Sequence, residues 1–380
     1  MRILIAIDSF KGSISSAEAA QAAFVGVRRV FPDADCALFP IADGGEGTVE
    51  ALAALPGAVR RRVTVSGPRR RPVCSDYAVL ADGTAVIEMA SAAGLPLLSA
   101  NERDPMVTTT YGVGEMIADA LNYGCRRFVI GIGGSATNDV GVGMLQALGF
   151  VFTDGEGRTV RDGALAVRDI RNISVGKAHR ALQESEFFIA CDVTNPLCGE
   201  RGCSKVFAPQ KGARAEDLEI MDAWLCDYAS IVKSTFPEAD PNAAGAGAAG
   251  GLGFAFSAFL NAKMQSGIDL VLETIGMEEA LRNADLVITG EGRLDAQTAM
   301  GKAPVGVAKL AKRYGKPVIA FCGCATSDAR VCNEHGIDAF FPIVRGACTL
   351  EEAMNPENAK KNLADTAEQV MRAMATLALR

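Results

Sequence analysis

The sequence predicts an α/β protein: a Rossmann-like, doubly wound parallel sheet domain interrupted by an inserted mixed α/β domain. Three observations predict it. Compact aliphatic runs alternate with helical spacing at both ends of the chain, hairpin signals occupy the middle, and polar glycine-rich loops follow the aliphatic runs. A length of 380 residues suits two domains of ordinary size. Hydrophobic residues at 49% against 22% charged and 6% aromatic describe an aliphatic-cored soluble protein, and forty glycines imply many tight turns and close backbone approaches.

In order along the chain, residues 3–7 form an aliphatic strand. Residues 15–30 have helical spacing behind Ser13, Ser15 or Ser16 as cap with Glu18 nearby, and residues 36–41 return to strand, completing a β-α-β unit. The same grammar returns late: a strand at 285–289, a helix near 304–314, a strand at 317–322, a helix near 328–335, a strand at 339–344 and a final helix to about 378. Between them, strands at 77–80 and 84–88 flank Asp82-Gly83, and Asp154-Gly155-Glu156-Gly157 separates a second pair. These breaks assign residues 1–64 and 268–380 to one discontinuous Rossmann-like domain and 65–267 to the insertion. The ligand is expected in a cleft between them.

Composition narrows the function classes. A net charge of -7 gives no basic field, and Arg69-Arg70-Arg71 reads as a solvated turn, so nucleic acid is not an expected partner. Eleven scattered cysteines fit a reduced cytoplasm rather than a disulfide framework, and neither Cys322-x-Cys324 nor the group Cys191, Cys198 and Cys203 completes a zinc set. The apolar N-terminus is too short for a signal peptide, and residues 243–260 are too broken by glycine to span a membrane. Two histidines, His179 and His335, and no Gly-x-Ser-x-Gly elbow leave no nucleophilic hydrolase.

Six polar loops, the stretch 128–143 and five others, carry the chemistry. The first, Asp8-Ser9-Phe10-Lys11-Gly12-Ser13, follows the first strand with an acid, a lysine and hydroxyls ahead of a helix, which suits an anionic ligand. Ala42-Asp43-Gly44-Gly45-Glu46 follows the second with glycines and two carboxylates suited to Mg²⁺. Residues 128–143, FVIGIGGSATNDVGVG, satisfy the dinucleotide fingerprint at Gly131, Gly133 and Ala136, yet Asp139 in the first turn of the expected helix would repel a pyrophosphate. That loop stays open among a structural turn, a dinucleotide site and another phosphate or substrate site. Asp192 closes a strand at 187–191, with Lys211 in a further loop, and Gly290-Glu291-Gly292-Arg293-Leu294-Asp295 follows the 285–289 strand ahead of Gly301-Lys302. Walker A spacing is absent.

Seven blocks in order, DSFKGS, PIADGGEGT, GIGGSATND with GMLQALG, CDVTNPLCG, FAPQKGA, AGAGAAGGLG and GEGRLDAQT with GKAPVGVA, make the chain closely similar to the glycerate kinases of the bacterial glycerate/glucarate-degradation type. Small departures are Val140, where the family often has glycine, and Cys203, where it tends to have alanine. The resemblance implies ATP-dependent phosphorylation of D-glycerate with Mg²⁺ in two α/β domains, with 2-phosphoglycerate the favoured product. GIGGSATND then becomes a substrate or triphosphate loop, with Asp139 a metal or hydroxyl partner. On this reading Lys11, Arg293 and Asp192 are catalytic, Arg293 on transition-state charge and Asp192 as acceptor of the hydroxyl proton. Asp8, Ser9, Gly133, Gly134, Ser135, Thr137, Asn138, Lys211, Gly290 and Lys302 bind substrate or nucleotide, and Asp43, Glu291 and Asp295 hold the metal. An NAD-dependent oxidoreductase and a non-catalytic nucleotide sensor are the alternatives. The oligomeric state, a homo-oligomer included, stays open.

Overall fold

The computed structural model describes residues 1–378 and divides into two compact units. Unit one comprises Met1–Asp43, Glu50–Leu55 and the chain from Ile268 onward; unit two comprises Gly44–Val49 and Pro56–Gly267. In chain order the strands are β1 (Arg2–Ile7), β2 (Asp35–Leu38), β3 (Val59–Ser66), β4 (Pro72–Val79), β5 (Ala85–Glu88), β6 (Arg127–Gly131), β7 (Val151–Thr153), β8 (Asn172–Ser174), β9 (Glu186–Ala190), β10 (Lys263–Gln265), β11 (Leu286–Leu294), β12 (Val318–Ala325) and β13 (Ala339–Pro342).

Unit one is built on a parallel sheet in the order β13-β12-β11-β1-β2. Both faces are covered, which is why β1 and the first halves of β11 and β12 read as continuous aliphatic runs. Ile3, Ile5 and Ile7 pack with the helices Ser16–Arg28 and Pro356–Ala378, while Leu4, Ala6 and Val287 pack with Ile268, Leu281 and Val305 of helices on the other face. Of the three candidate caps, Ser15 takes the position: its hydroxyl accepts from Glu18 N, and the Glu18 carboxylate accepts from Ser15 N. The first and last helices meet at Gly26, where a Cβ would stand 2.2 Å from the Ala364 carbonyl oxygen.

Two differences from the sequence expectation matter. The strand expected at 285–289 runs on to Leu294, with Glu291 paired to Cys322 and Arg293 to Cys324. Gly290 is there for close strand approach rather than for a turn, since a Cβ on it would lie 2.0 Å from Phe321 O, while a Cβ on Gly292 would lie 3.3 Å from Phe10 Cα in the loop after β1. Further on, the helix expected near 328–335 is split into the 3₁₀ turn Ser327–Arg330 and the short helix Val331–Glu334.

Unit two holds a six-stranded sheet in the order β10-β9-β6-β5-β4-β3, antiparallel along β3-β4-β5 and parallel from β5 through β10. Asp82 accepts from Thr84 N and Gly83 takes a φ of 84°, so the first predicted turn closes as a hairpin. The second is cut short. Asp154 organises its turn by accepting from Glu156 N and Arg158 N, but the returning arm makes only the bridge Thr153–Thr159 before helix Gly163–Asp169 begins, and β7 pairs with β8. Among the described residues no helix is long and apolar enough to cross a membrane, and all eleven cysteines are free thiols.

Candidate active site

The loop after β1 and the carboxyl ends of β11 and β12 line a cavity of about 440 Å³ within unit one. Its charged lining is Asp8, Lys11, Glu291, Arg293, Asp295 and Lys302. Its apolar lining includes Phe10, Ile343, Leu350 and Met354. The β1 loop is held from below: Ser16 Oγ donates to Ile7 O at 2.6 Å and accepts from Ile41 N at 2.8 Å, and Asp8 N donates to Gly290 O at 2.9 Å. Ser9 N donates to Asp8 Oδ1 at 2.7 Å. Lys302 precedes helix Ala303–Arg313, with Pro304 in its first turn.

Carboxylates crowd one another here. Burial, together with the charges of Asp43 and Glu291, pushes the Asp8 carboxyl up to about 7 against the pull of Ser9 N and Lys11. Glu291 is also raised, chiefly by burial and with help from Asp295 and Asp43, while the Thr298 hydroxyl at 2.6 Å and Lys302 act the other way. Lys11 stands 3.6 Å from Asp43. Asp295 Oδ1 accepts from Gln297 N and Thr298 N, and its Oδ2 lies 3.5 Å from Arg293 Nε. Among the described residues no three His, Cys, Asp or Glu side chains form a metal cage. One or two oxygen donors in a group of mutually repelling carboxylates fit Mg²⁺, which takes its remaining ligands from phosphate and water.

The remaining predicted residues lie in unit two. Gly131 of β6 pairs with Ala190 of β9, so two residues further on Gly133 and Asp192 leave neighbouring strand ends. Asp192 is exposed and accepts from Gly267 N at 3.0 Å. Gly133 and Gly134 are exposed, the latter at a φ of 72° that favours glycine. Behind them Ser135, Thr137, Asn138 and Lys211 are buried. Lys211 Nζ donates to Ser135 Oγ at 2.8 Å and to Thr137 O at 2.7 Å, and burial pulls its ammonium down to about 8. Asn138 Nδ2 donates to Ser204 Oγ at 3.0 Å.

Asp139 is not placed as a metal or hydroxyl partner. It is fully buried and accepts from Thr110 N, Thr110 Oγ1, Gly141 N and Gly143 N, which makes it the internal tie of its loop. The dinucleotide reading fails as well: the fingerprint needs a helix starting on its glycines, whereas residues 135–141 are irregular and the next helix is the six-residue Val142–Ala147. The loop is held against a reversed stretch of chain, Ala249, Gly250 and Gly251, all at positive φ, with Val140 N donating to Gly250 O at 3.0 Å.

The nine predicted residues of unit one thus gather about one cavity, and the seven of unit two about the ends of β6 and β9. Sequence reasoning missed the apolar lining. Its signal was weak, a few aliphatic residues in 343–354, of which Leu350 is 78% exposed.

Comparison with known proteins identifies the family. The model of the glycerate kinase family matches residues 3–375. Glycerate kinase of Bacillus subtilis (strain 168) is 46% identical over 97% of each chain. Glycerate 2-kinase of Escherichia coli (strain K12) is 45% identical over 96% of this chain and 98% of its own. A crystal structure assigned as glycerate kinase 2 from Salmonella typhimurium LT2 superposes with a TM-score of 0.93 at 43% identity, covering all of both chains. Sequence and fold together place this chain, an enzyme, in the glycerate kinase family.

Proposed function

We propose that the enzyme transfers the γ-phosphoryl group of ATP to D-glycerate with Mg²⁺ and releases 2-phosphoglycerate. The observation that carries this reading is the cavity of unit one, lined by both charged and apolar side chains. A nucleoside triphosphate uses both kinds of lining, whereas a three-carbon acid has no use for so much apolar surface. The base then rests on Phe10, Leu350 and Met354, with the phosphates toward Lys11, Arg293 and Lys302. Of Asp43, Glu291 and Asp295, one or two would hold Mg²⁺ directly and the rest through water, and the ion when bound would neutralise charge on the phosphate oxygens.

Glycerate falls to unit two. Its carboxylate lies on Gly133, Gly134 and Ser135, and its hydroxyl faces Asp192. Asp192 accepts the hydroxyl proton as that oxygen bonds to the γ-phosphorus and the bond from phosphorus to the ADP oxygen breaks. The 2-position is favoured because the Escherichia coli relative is named a glycerate 2-kinase. Phosphorus NMR of the mixture from D-glycerate, Mg²⁺ and ATP tests the whole reading. The expected result is ADP and 2-phosphoglycerate in equal amounts; 3-phosphoglycerate overturns the regiochemistry, and unreacted ATP overturns the activity.

A further inference from the structure

A fully buried lysine without a carboxylate in hydrogen-bond contact is costly, because the ammonium loses its hydration. Lys211 is in that position. It is 1% exposed, and the acceptors within reach are the neutral Ser135 Oγ and the Thr137 carbonyl. The titratable groups that face it are Asp139 and Cys203. Asp139 does not pair with it, since its oxygens accept from the Thr110, Gly141 and Gly143 donors.

The donor count decides what the lysine does to Ser135. An ammonium has donors and no acceptor, so the hydroxyl oxygen of Ser135 accepts from it and keeps its own hydrogen for another partner. No acceptor for that hydrogen stands among the described residues. Just before it, the N–H groups of Gly133 and Gly134 likewise donate to nothing among the described residues, and a Cβ on Gly133 would meet open space. Two backbone N–H groups and a hydroxyl polarised by a buried cation are three donors on one loop with no anion to receive them. Successive N–H groups ending in a left-handed glycine form the kind of concavity that takes an oxyanion.

We propose that Gly133, Gly134 and Ser135 form an oxyanion-binding subsite whose strength Lys211 sets from beneath, as a positioning residue that never touches the ligand. The ligand group is a carboxylate or a phosphate. The positive charge reaches it through the Ser135 hydroxyl, whose O–H becomes a stronger donor when its oxygen accepts from an ammonium. The assignment of glycerate's carboxylate to this loop rests on the function proposed above; the oxyanion subsite itself does not.

Calorimetric titration of the full chain separates the two. D-glycerate, ATP with Mg²⁺, and inorganic phosphate are titrated into the wild type, Ser135→Ala and Lys211→Met, with melting temperatures recorded in parallel. Loss of a hydrogen bond to a charged group is expected to weaken one organic ligand by about 10- to 100-fold in Ser135→Ala. Lys211→Met should weaken the same ligand at least as much, with the other ligand unaffected. A loss confined to D-glycerate identifies the carboxylate, and a loss confined to ATP identifies a phosphate; either supports the subsite. Should Lys211→Met fail to fold, Ser135→Ala carries the test, because it leaves the lysine and its Thr137 bond in place. Unchanged affinities in a folded Ser135→Ala overturn the inference, as does an equal loss for both ligands with a lowered melting temperature, which marks a structural role only. If the wild type binds neither D-glycerate nor ATP, the proposed function fails; phosphate binding lost in Ser135→Ala then still supports the subsite, and phosphate binding that is absent or unchanged overturns it.

Discussion

Arg293 and Asp295 illustrate how little of the charged loop is structural. The Arg293 side chain is 64% exposed and its contact with Asp295 is 3.5 Å, a pair of the loose surface kind that contributes little to stability. Asp295 is fixed instead by the Gln297 and Thr298 amides. Arg293→Lys keeps the charge and loses the planar fork, so turnover is expected to fall by about two to three orders of magnitude with the melting temperature unchanged. Near-normal turnover would remove Arg293 from the reaction. Asp295→Asn keeps an oxygen for the turn amides and should raise the Mg²⁺ concentration for half-maximal rate, a shift read directly from a metal titration. Lys211 makes a separate pH prediction. Its folded-state value of about 8 lies below the ordinary lysine value of 10.5, so the unfolded chain binds more protons between those two values and folding is favoured as pH rises through that window. The wild type should therefore gain stability relative to Lys211→Met from about pH 8 to 10, by at most on the order of 3 kcal/mol. A constant difference across that range would mean that Lys211 titrates normally.

Between elements, Gly26 is where substitution should hurt most for the least added volume. A methyl group there would enter the Ala364 carbonyl and the Ala367 side chain, so the first and last helices would have to separate. Gly26→Ala improves helix propensity, yet overpacking is expected to dominate and to lower stability by about 1–3 kcal/mol. Thermal denaturation checks the sign, and a stabilised variant would show that the two helices part easily. The same elements show what a sequence makes legible. β1 and the helix after it could be read because a sheet covered on both faces leaves an unbroken aliphatic run, and a Ser-x-x-Glu pair marks the helix start. The edge strand β2 ends at Leu38, short of the 36–41 expected, and its residues alternate between exposed and half-buried. The second half of β11 could not. Gly290-Glu291-Gly292-Arg293 has the composition of a loop, and only the close approach to Phe321 explains Gly290 as a strand residue. The charged residues of the candidate site were visible as types at strand ends, but burial was not. Nothing in the local sequence separates Lys211, fully buried beneath a loop, from the exposed Lys11. The apolar lining was hidden because its residues are spread from Phe10 to Met354 and form no periodic pattern.

Over the whole molecule, each unit has its own hydrophobic core and its own set of polar loops at parallel strand ends, so the two ligands are expected to leave separate footprints. Hydrogen exchange reads this directly, because a ligand slows amide opening in the segments it touches. ATP with Mg²⁺ should protect residues 8–13, 290–302 and 343–354, the segments that line the unit-one cavity. D-glycerate should instead protect residues 131–136 and 191–195, the ends of β6 and β9. The degree of protection follows saturation: at ~100 times the dissociation constant the native state gains about 2.7 kcal/mol, enough to slow exchange roughly 100-fold wherever opening requires ligand release. Residues 343–354 are the most discriminating segment, since they contribute apolar surface and no charge to the cavity lining. Protection there by ATP but not by inorganic triphosphate would assign that apolar surface to the base. If ATP protects 131–136 and leaves 343–354 untouched, the partition is reversed: the nucleotide belongs to unit two, and the unit-one cavity must be explained by another ligand.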